Sequence, residues 1–148
     1  MFKHVLVSTD GSKLSHKAIQ AAVRLAKATG ARVTGVYVIP PYVAPMYSEA
    51  MMYPPAASPA RCRELGKREG KKALATIEVE AQTAGVDWAE AMLAAPSAWE
   101  GIIRIAKAKK CDLIVMASHG RRGLAGLVLG SETVKVLTHS KIPVLVCR

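Results

Sequence analysis

The chain has 148 residues, 51% hydrophobic and 22% charged, with 21 Lys and Arg against 11 Asp and Glu for a net charge of +10. This predicts a single globular domain over residues 1–148, argues against disorder throughout, and favours anionic ligands. The apolar runs 113–118 and 124–129 fall far short of the ~18 residues a membrane span needs, and the start Met1-Phe2-Lys3-His4 lacks a secretory signal, so the expected compartment is the cytoplasm.

Residues 4–9 are apolar, rich in β-branched side chains, and end at Asp10-Gly11, as a strand buried on both faces would. Ser12 stands where an N-cap belongs. Ala18, Ile19, Ala22, Val23, Leu25 and Ala26 then recur at helical spacing until Gly30 supplies a stop. Arg32–Ile39 reads as a second strand. Residues 40–60 hold six of the eight prolines, three of the four tyrosines and one charge, Glu49. They read as a Pro-rich connection, poorly ordered across 46–55, with a lid or partner surface as the alternative.

A helix is predicted over 61–84, with Leu65, Ala73, Leu74, Ile77 and Ala81 as its apolar face. Its first half carries Arg61, Arg63, Lys67, Arg68, Lys71 and Lys72 against Glu64 and Glu69. No aromatic residues interleave with these charges and no nucleic-acid-binding signature is present, so a solvated face is favoured over a nucleic-acid surface. Gly85 ends the helix. A third strand is read over 86–94, a helix over 98–110 opened by Pro96-Ser97, and a fourth strand over 111–117. A glycine-rich stretch, 118–130, leads into a short helix, Ser131–His139, and a closing strand from Pro143 to Cys147.

Strands alternating with helices imply an α/β fold with a parallel sheet covered on both faces. Five strands in the order 3-2-1-4-5, a Rossmann-like or flavodoxin-like layer, are expected. That order places a switch point between strands 1 and 4, where open α/β sheets bind ligands beyond their carboxyl ends. The loops meeting there are 8–12 and 117–131.

The second of these loops is the most informative part of the chain. Ala117, Ser118, His119, Gly120, Arg121, Arg122 and Gly123 leave a buried strand, and Gly130, Ser131, Glu132 and Thr133 open a helix. Glycines let main-chain N–H groups approach an anion, a helix start adds free donors, and the two arginines can pair with phosphate. Ser131 is expected at the N-cap. The P-loop pattern and GxGxxG are both absent. On chemistry alone an anion site and a merely flexible loop stay open.

With these residues the whole chain resembles the universal stress protein family of the nucleotide-binding type, whose signature is Gly-x2-Gly-x9-Gly-Ser/Thr. The matching residues are Ala117, Gly120, Gly130 and Ser131, with Val5-Leu6-Val7-Ser8-Thr9-Asp10-Gly11-Ser12 and Lys141-Ile142-Pro143-Val144-Leu145-Val146 agreeing at the flanks. Two departures stand out: Ala117 replaces the first glycine, and Ala95-Pro96 replaces a Gly-x-Pro turn. An alanine keeps its N–H, so donor geometry survives at negative φ.

The resemblance implies an adenine nucleotide, ATP with or without Mg2+, bound by a stress-response binding or sensing module. It implies that Ser8 and Thr9 border adenine and ribose, and that Asp10 accepts from the ribose hydroxyls or helps hold a metal-phosphate group. It further implies that Val38 meets the adenine edge through its main chain. Gly120, Arg121, Arg122 and Gly123 would wrap the phosphates, while Ser131, Glu132 and Thr133 present helix-start donors and hydroxyls. It also implies a homodimer through the exposed edge strand, Pro143 to Cys147, paired antiparallel. Asp10 also suits an Asx-turn, which is compatible with that role.

No catalytic residue emerges. His119 lacks an identifiable partner and reads as a turn-stabilising histidine, and no carboxylate in the loop can activate water, so any ATP hydrolysis would be slow. The other class of function is a stress protein without nucleotide, acting by protein–protein contact, for which Ala117 is the motive. The scattered Cys62, Cys111 and Cys147 give no zinc spacing; two read as buried and one as a thiol on a helix face.

Overall fold

The structure, a computed structural model, describes residues 1–41, 58–121 and 129–148. The middle of the Pro-rich connection lies outside the described residues. The elements run β1 (His4–Ser8), α1 (Lys13–Thr29), β2 (Arg32–Ile39), α2 (Pro59–Ala84), β3 (Trp88–Ala94), α3 (Ala98–Ala108), β4 (Leu113–Ala117), α4 (Ser131–His139) and β5 (Val144–Cys147). All strands are parallel, in the order β3-β2-β1-β4-β5, as expected. No helix among the described residues is long and apolar enough to cross a membrane.

The period-2 geometry of the strands divides the core. Val5, Val7, Leu113 and Val115 face α1 and α2, whereas Leu6, Ile114 and Met116 face α3 and α4. The Ser12 hydroxyl accepts from the Ser15 N–H at 3.1 Å and caps α1. Ser58 does the same for α2 toward the Arg61 N–H, so that helix starts at Pro59 rather than 61.

The apolar face of α2 differs from the sequence reading. Leu65 is 44% exposed, and the buried stripe runs through glycines before it reaches Ala73, Leu74, Ile77 and Ala81. A Cβ on Gly66 would lie 2.6 Å from Ile39 Cγ2, and one on Gly70 would meet Met92 and Tyr37 at 2.6 and 2.7 Å. The helix is therefore pressed onto β2 at its first half. These contacts also set its direction: Gly66 lies over Ile39 at the carboxyl end of β2, and Ile77 lies over Gly35.

Strands β3 and β4 begin later than the apolar runs suggest, because helix stops use the first residues. The Val86 N–H donates to Ala81 O and the Cys111 N–H to Ala106 O. α3 ends at Ala108, and Lys110 takes the left-handed conformation at φ +55. Cys111 is buried, Cys147 is half-buried on β5 and Cys62 is half-buried on α2, so one of the two thiols expected inside is only partly so.

At the amino end of the sheet, Asp112 accepts from the Lys3 and His4 N–H groups at 2.7 and 2.9 Å, joining β1 to β4. The buried His4 ring lies between Arg32 and Thr34. Arginine carries only donors, so Nδ1 accepts from Arg32 (3.2 Å) and Nε2–H donates to Thr34 Oγ1 (2.7 Å). Burial and then the Arg32 charge hold the ring below the ordinary value of 6.5. The unfolded chain therefore binds the extra proton first. Stability contributed by neutral His4 is complete above pH ~6.5 and is lost as the pH falls toward the depressed folded value. Urea unfolding across that window should show a smaller loss on acidification in His4→Gln than in the natural protein; identical pH slopes would show that His4 does not titrate with unfolding.

Candidate functional site

The switch point is built from two strand ends. On the β1 side the chain turns at Asp10 and Gly11, with Gly11 at φ +78, where a side chain would be strained. Thr9 N–H donates to Val36 O at 3.0 Å, carrying the β1–β2 ladder one residue past the strand. The Thr9 hydroxyl is buried. It accepts from the Gly11 N–H (3.1 Å), and because the Ser15 hydroxyl donates to Ser12 O (2.9 Å), Thr9 donates to Ser15 Oγ (3.0 Å). Thr9 thus shapes the turn from beneath.

On the β4 side the Ser118 N–H donates to Cys147 O and Ser118 O accepts from the Gly130 N–H, both at 2.7 Å. The two ends of the glycine-rich stretch are therefore closed on each other. The Ser118 hydroxyl contacts His119 Nδ1 at 3.1 Å, a local turn contact as expected of that histidine. A Cβ on Gly130 would lie 3.2 Å from His119 Cα, so only glycine leaves the surrounding main chain undisturbed. Gly130, in extended conformation at φ −74 and ψ 156, is the N-cap of α4, and Ser131 is its first helical residue instead of the cap. With no side chain at the cap, the first-turn N–H groups of α4 have no side-chain hydrogen-bond cap.

Asp10 joins the two sides. Its Oδ1 accepts from the Ser12 N–H at 3.0 Å, and its Oδ2 accepts from the Arg121 N–H at 2.8 Å. Burial alone would raise the carboxyl, but hydrogen bonds from Ser12 and from the Arg121 N–H outweigh it and hold Asp10 below the ordinary carboxylate range. A Cβ on Gly120 would sit 2.7 Å from Asp10 Oδ2, so the approach of the two loops needs a glycine there.

Ser8, Thr9, Asp10, Ala117, Ser118, His119, Gly120, Arg121, Gly130, Ser131, Glu132 and Thr133 thus gather at the carboxyl ends of β1 and β4. Arg122 and Gly123 lie outside the described residues. Ser8 pairs with Val36, so Val38 stands two residues past the end of β1. Its side chain points toward α3, 2.6 Å from where a Gly101 Cβ would be, leaving its main chain at the sheet end.

Like Thr9, two further side chains expected near a ligand are otherwise engaged. Thr133, 2% exposed, donates its hydroxyl to Ala117 O at 3.1 Å, and Glu132 Oε2 accepts from the Trp99 N–H at 2.8 Å, capping α3. Ala117 has no positive φ and turns its methyl into the α1-side core, so this departure does not fill the cradle. Ser15 and Glu69 were missed. Ser12-x-x-Ser15 is a readable cap pattern, whereas nothing in sequence links Glu69 to Arg121.

A cavity of about 460 Å³ lies at the opposite end of the sheet, lined by Lys3, Lys27, Arg32, Asp87 and the C-caps of α1 and α2. Its cations complement the carbonyl ends of those two helices, so it lacks the donor array found at the switch point.

The universal stress protein family model matches residues 1–148. The chain belongs to the universal stress protein family. Universal stress protein YxiE of Bacillus subtilis is 37% identical over 149 residues, covering 100% of both chains. A universal stress protein of Methanocaldococcus jannaschii is 35% identical over 148 residues, covering 100% of this chain and 83% of that one. The structure of a universal stress protein in complex with cAMP aligns with a TM-score of 0.70 at 25% identity, covering 99% of this chain and 97% of that one.

The Thr133 bond is the one side-chain tie between the start of α4 and β4 described above. Thr133→Val keeps the shape and leaves Ala117 O unpaired in the core, and should cost about 1–2 kcal/mol. Chemical denaturation measures it, and an unchanged midpoint would show that the bond contributes nothing.

Proposed function

We propose that this universal stress protein binds an adenine nucleotide at the β1–β4 switch point, with ATP, accompanied by Mg2+, as the ligand of choice. The carrying observation is the cradle itself. A Cβ on Gly120 would overlap Asp10 Oδ2 and one on Gly130 would crowd His119, so glycines bring the two loop ends together beside a helix start with no side-chain cap. In this reading Gly120, Arg121, Arg122, Gly123, Gly130 and Ser131 surround the phosphates, with the main chains of Glu132 and Thr133 adding to the positive end of α4. Asp10, held ionised, faces ribose hydroxyls or a metal-bound phosphate, and Ser8, Thr9 and the Val38 main chain border the base. A related protein solved with cAMP supports the ligand class.

The role is binding in a stress response, not efficient hydrolysis. A water-activating base would speed hydrolysis, and both carboxylates named at the site, Asp10 and Glu132, already accept from main-chain N–H groups. Calorimetric titration with Mg-ATP, ADP, AMP and cAMP tests the reading. Saturable heat is expected, with at least a ~10-fold loss in Gly130→Val, whose side chain would press on His119. Absence of both heat and thermal shift at millimolar ligand would reject it.

We also infer pairing of two copies through β5. This strand is a sheet edge, and Leu145 on it is 40% exposed. Light scattering should give the mass of two chains for the natural protein and of one for Leu145→Lys; a single-chain mass for the natural protein would remove the inference.

A further inference from the structure

The side chain of Arg121 has two neighbours from other parts of the fold. Its main chain is fixed by the N–H bond to Asp10. Its guanidinium lies across the start of α1, where Nη2 is 3.0 Å from the place a Gly11 Cβ would take. The same Nη2 is 3.9 Å from Glu69 Oε2 on α2, and Glu69 Oε1 is 3.6 Å from Lys72 Nζ. Glu69 is a carboxylate in the basic half of α2, flanked by the exposed Lys67, Arg68, Lys71 and Lys72. Tyr37 lies beneath. Its burial raises the phenol, the Arg121 charge opposes this, and the Glu69 and Asp10 charges add to it, as befits three charges converging on one ring.

A separation of 3.9 Å is too long for a hydrogen bond, and both side chains are about half exposed. Such a pair is weak, whereas an arginine–phosphate contact is charge-assisted on both sides and can be bidentate. A phosphate can therefore displace Glu69. If a first phosphate binds at the uncapped start of α4, as in the nucleotide reading above, only a longer phosphate chain would extend to Arg121. We propose that Glu69 is a positioning residue that holds Arg121 away from the phosphates, so that the Glu69–Arg121 pair sets how strongly the site prefers long phosphate chains over a monophosphate. This rests on the nucleotide reading above and adds to it the residue that tunes the preference.

The experiment compares Mg-ATP, AMP and inorganic tripolyphosphate, titrated by calorimetry at fixed ionic strength into the natural protein, Glu69→Gln, Arg121→Gln and the double variant. Both residues are exposed, and unchanged melting temperatures will confirm folding. In Glu69→Gln, ATP and tripolyphosphate should bind about two- to five-fold more tightly with AMP almost unchanged. Arg121→Gln should weaken ATP and tripolyphosphate selectively, and in that background the gain from Glu69→Gln should disappear. If AMP and ATP shift equally in Glu69→Gln, or if the gain survives without Arg121, Glu69 does not act through Arg121 and the proposal falls while the nucleotide site stands. If the natural protein binds none of the three, both fall.

Discussion

The structure turns on one carboxylate. Asp10 accepts one N–H from its own turn and another from Arg121, 111 positions along the chain. The β1 turn and the β4 loop are the two sides of the crevice that the strand order opens, and the parallel ladder between them stops at Val7 and Val115. Beyond that point no sheet hydrogen bond holds the two sides in register. A charge-assisted bond does so instead, and the absence of a side chain at Gly120 lets the main chain come within reach. Asp10 is kept ionised by these same donors, so holding the loops and carrying negative charge at the site are one property.

Around that tie, the polar groups are sorted by direction. Thr9, Ser15 and Thr133 turn their hydroxyls inward, each to a partner that fixes a turn or a helix start. Among the described residues, the first-turn N–H groups of α4 have no side-chain cap, and the half-exposed Arg121 guanidinium lies beside Glu69. A surface built from main-chain donors recognises an anion by shape and charge without depending on a side-chain rotamer. The net charge of +10 adds a long-range attraction for the same class of ligand.

Much of this was legible in the sequence, for identifiable reasons. Apolar runs separated by helical periodicity gave the five parallel strands and their order, because buried parallel strands leave few other ways to cover both faces. Ser12 and Gly30 marked the ends of α1 because capping chemistry is local. The α2 stripe was misjudged at Leu65 because its inner positions there are Gly66 and Gly70, which carry no hydrophobic signal, although close helix–sheet contact depends on them. Lys110 ends α3 in a conformation usually left to glycine, so no residue announced the stop. At the site, spacing located Gly120 and Gly130 but not the direction of any side chain. Glu132 and Thr133 bond away from the loop, Val38 points to α3, and Glu69 reaches Arg121 only through the crossing of α2 over β2.

The Glu132 bond has a mechanical consequence. Glu132 belongs to the first turn of α4, yet its carboxylate closes the first turn of α3 through the Trp99 N–H. The indole of Trp99 in turn stacks on His139 at the far end of α4, with ring centroids 4.7 Å apart. The two helices are thus clamped at both ends of α4, and neither can slide without the other. Trp99 thus touches both ends of α4, which places a fluorophore in the seam between these helices.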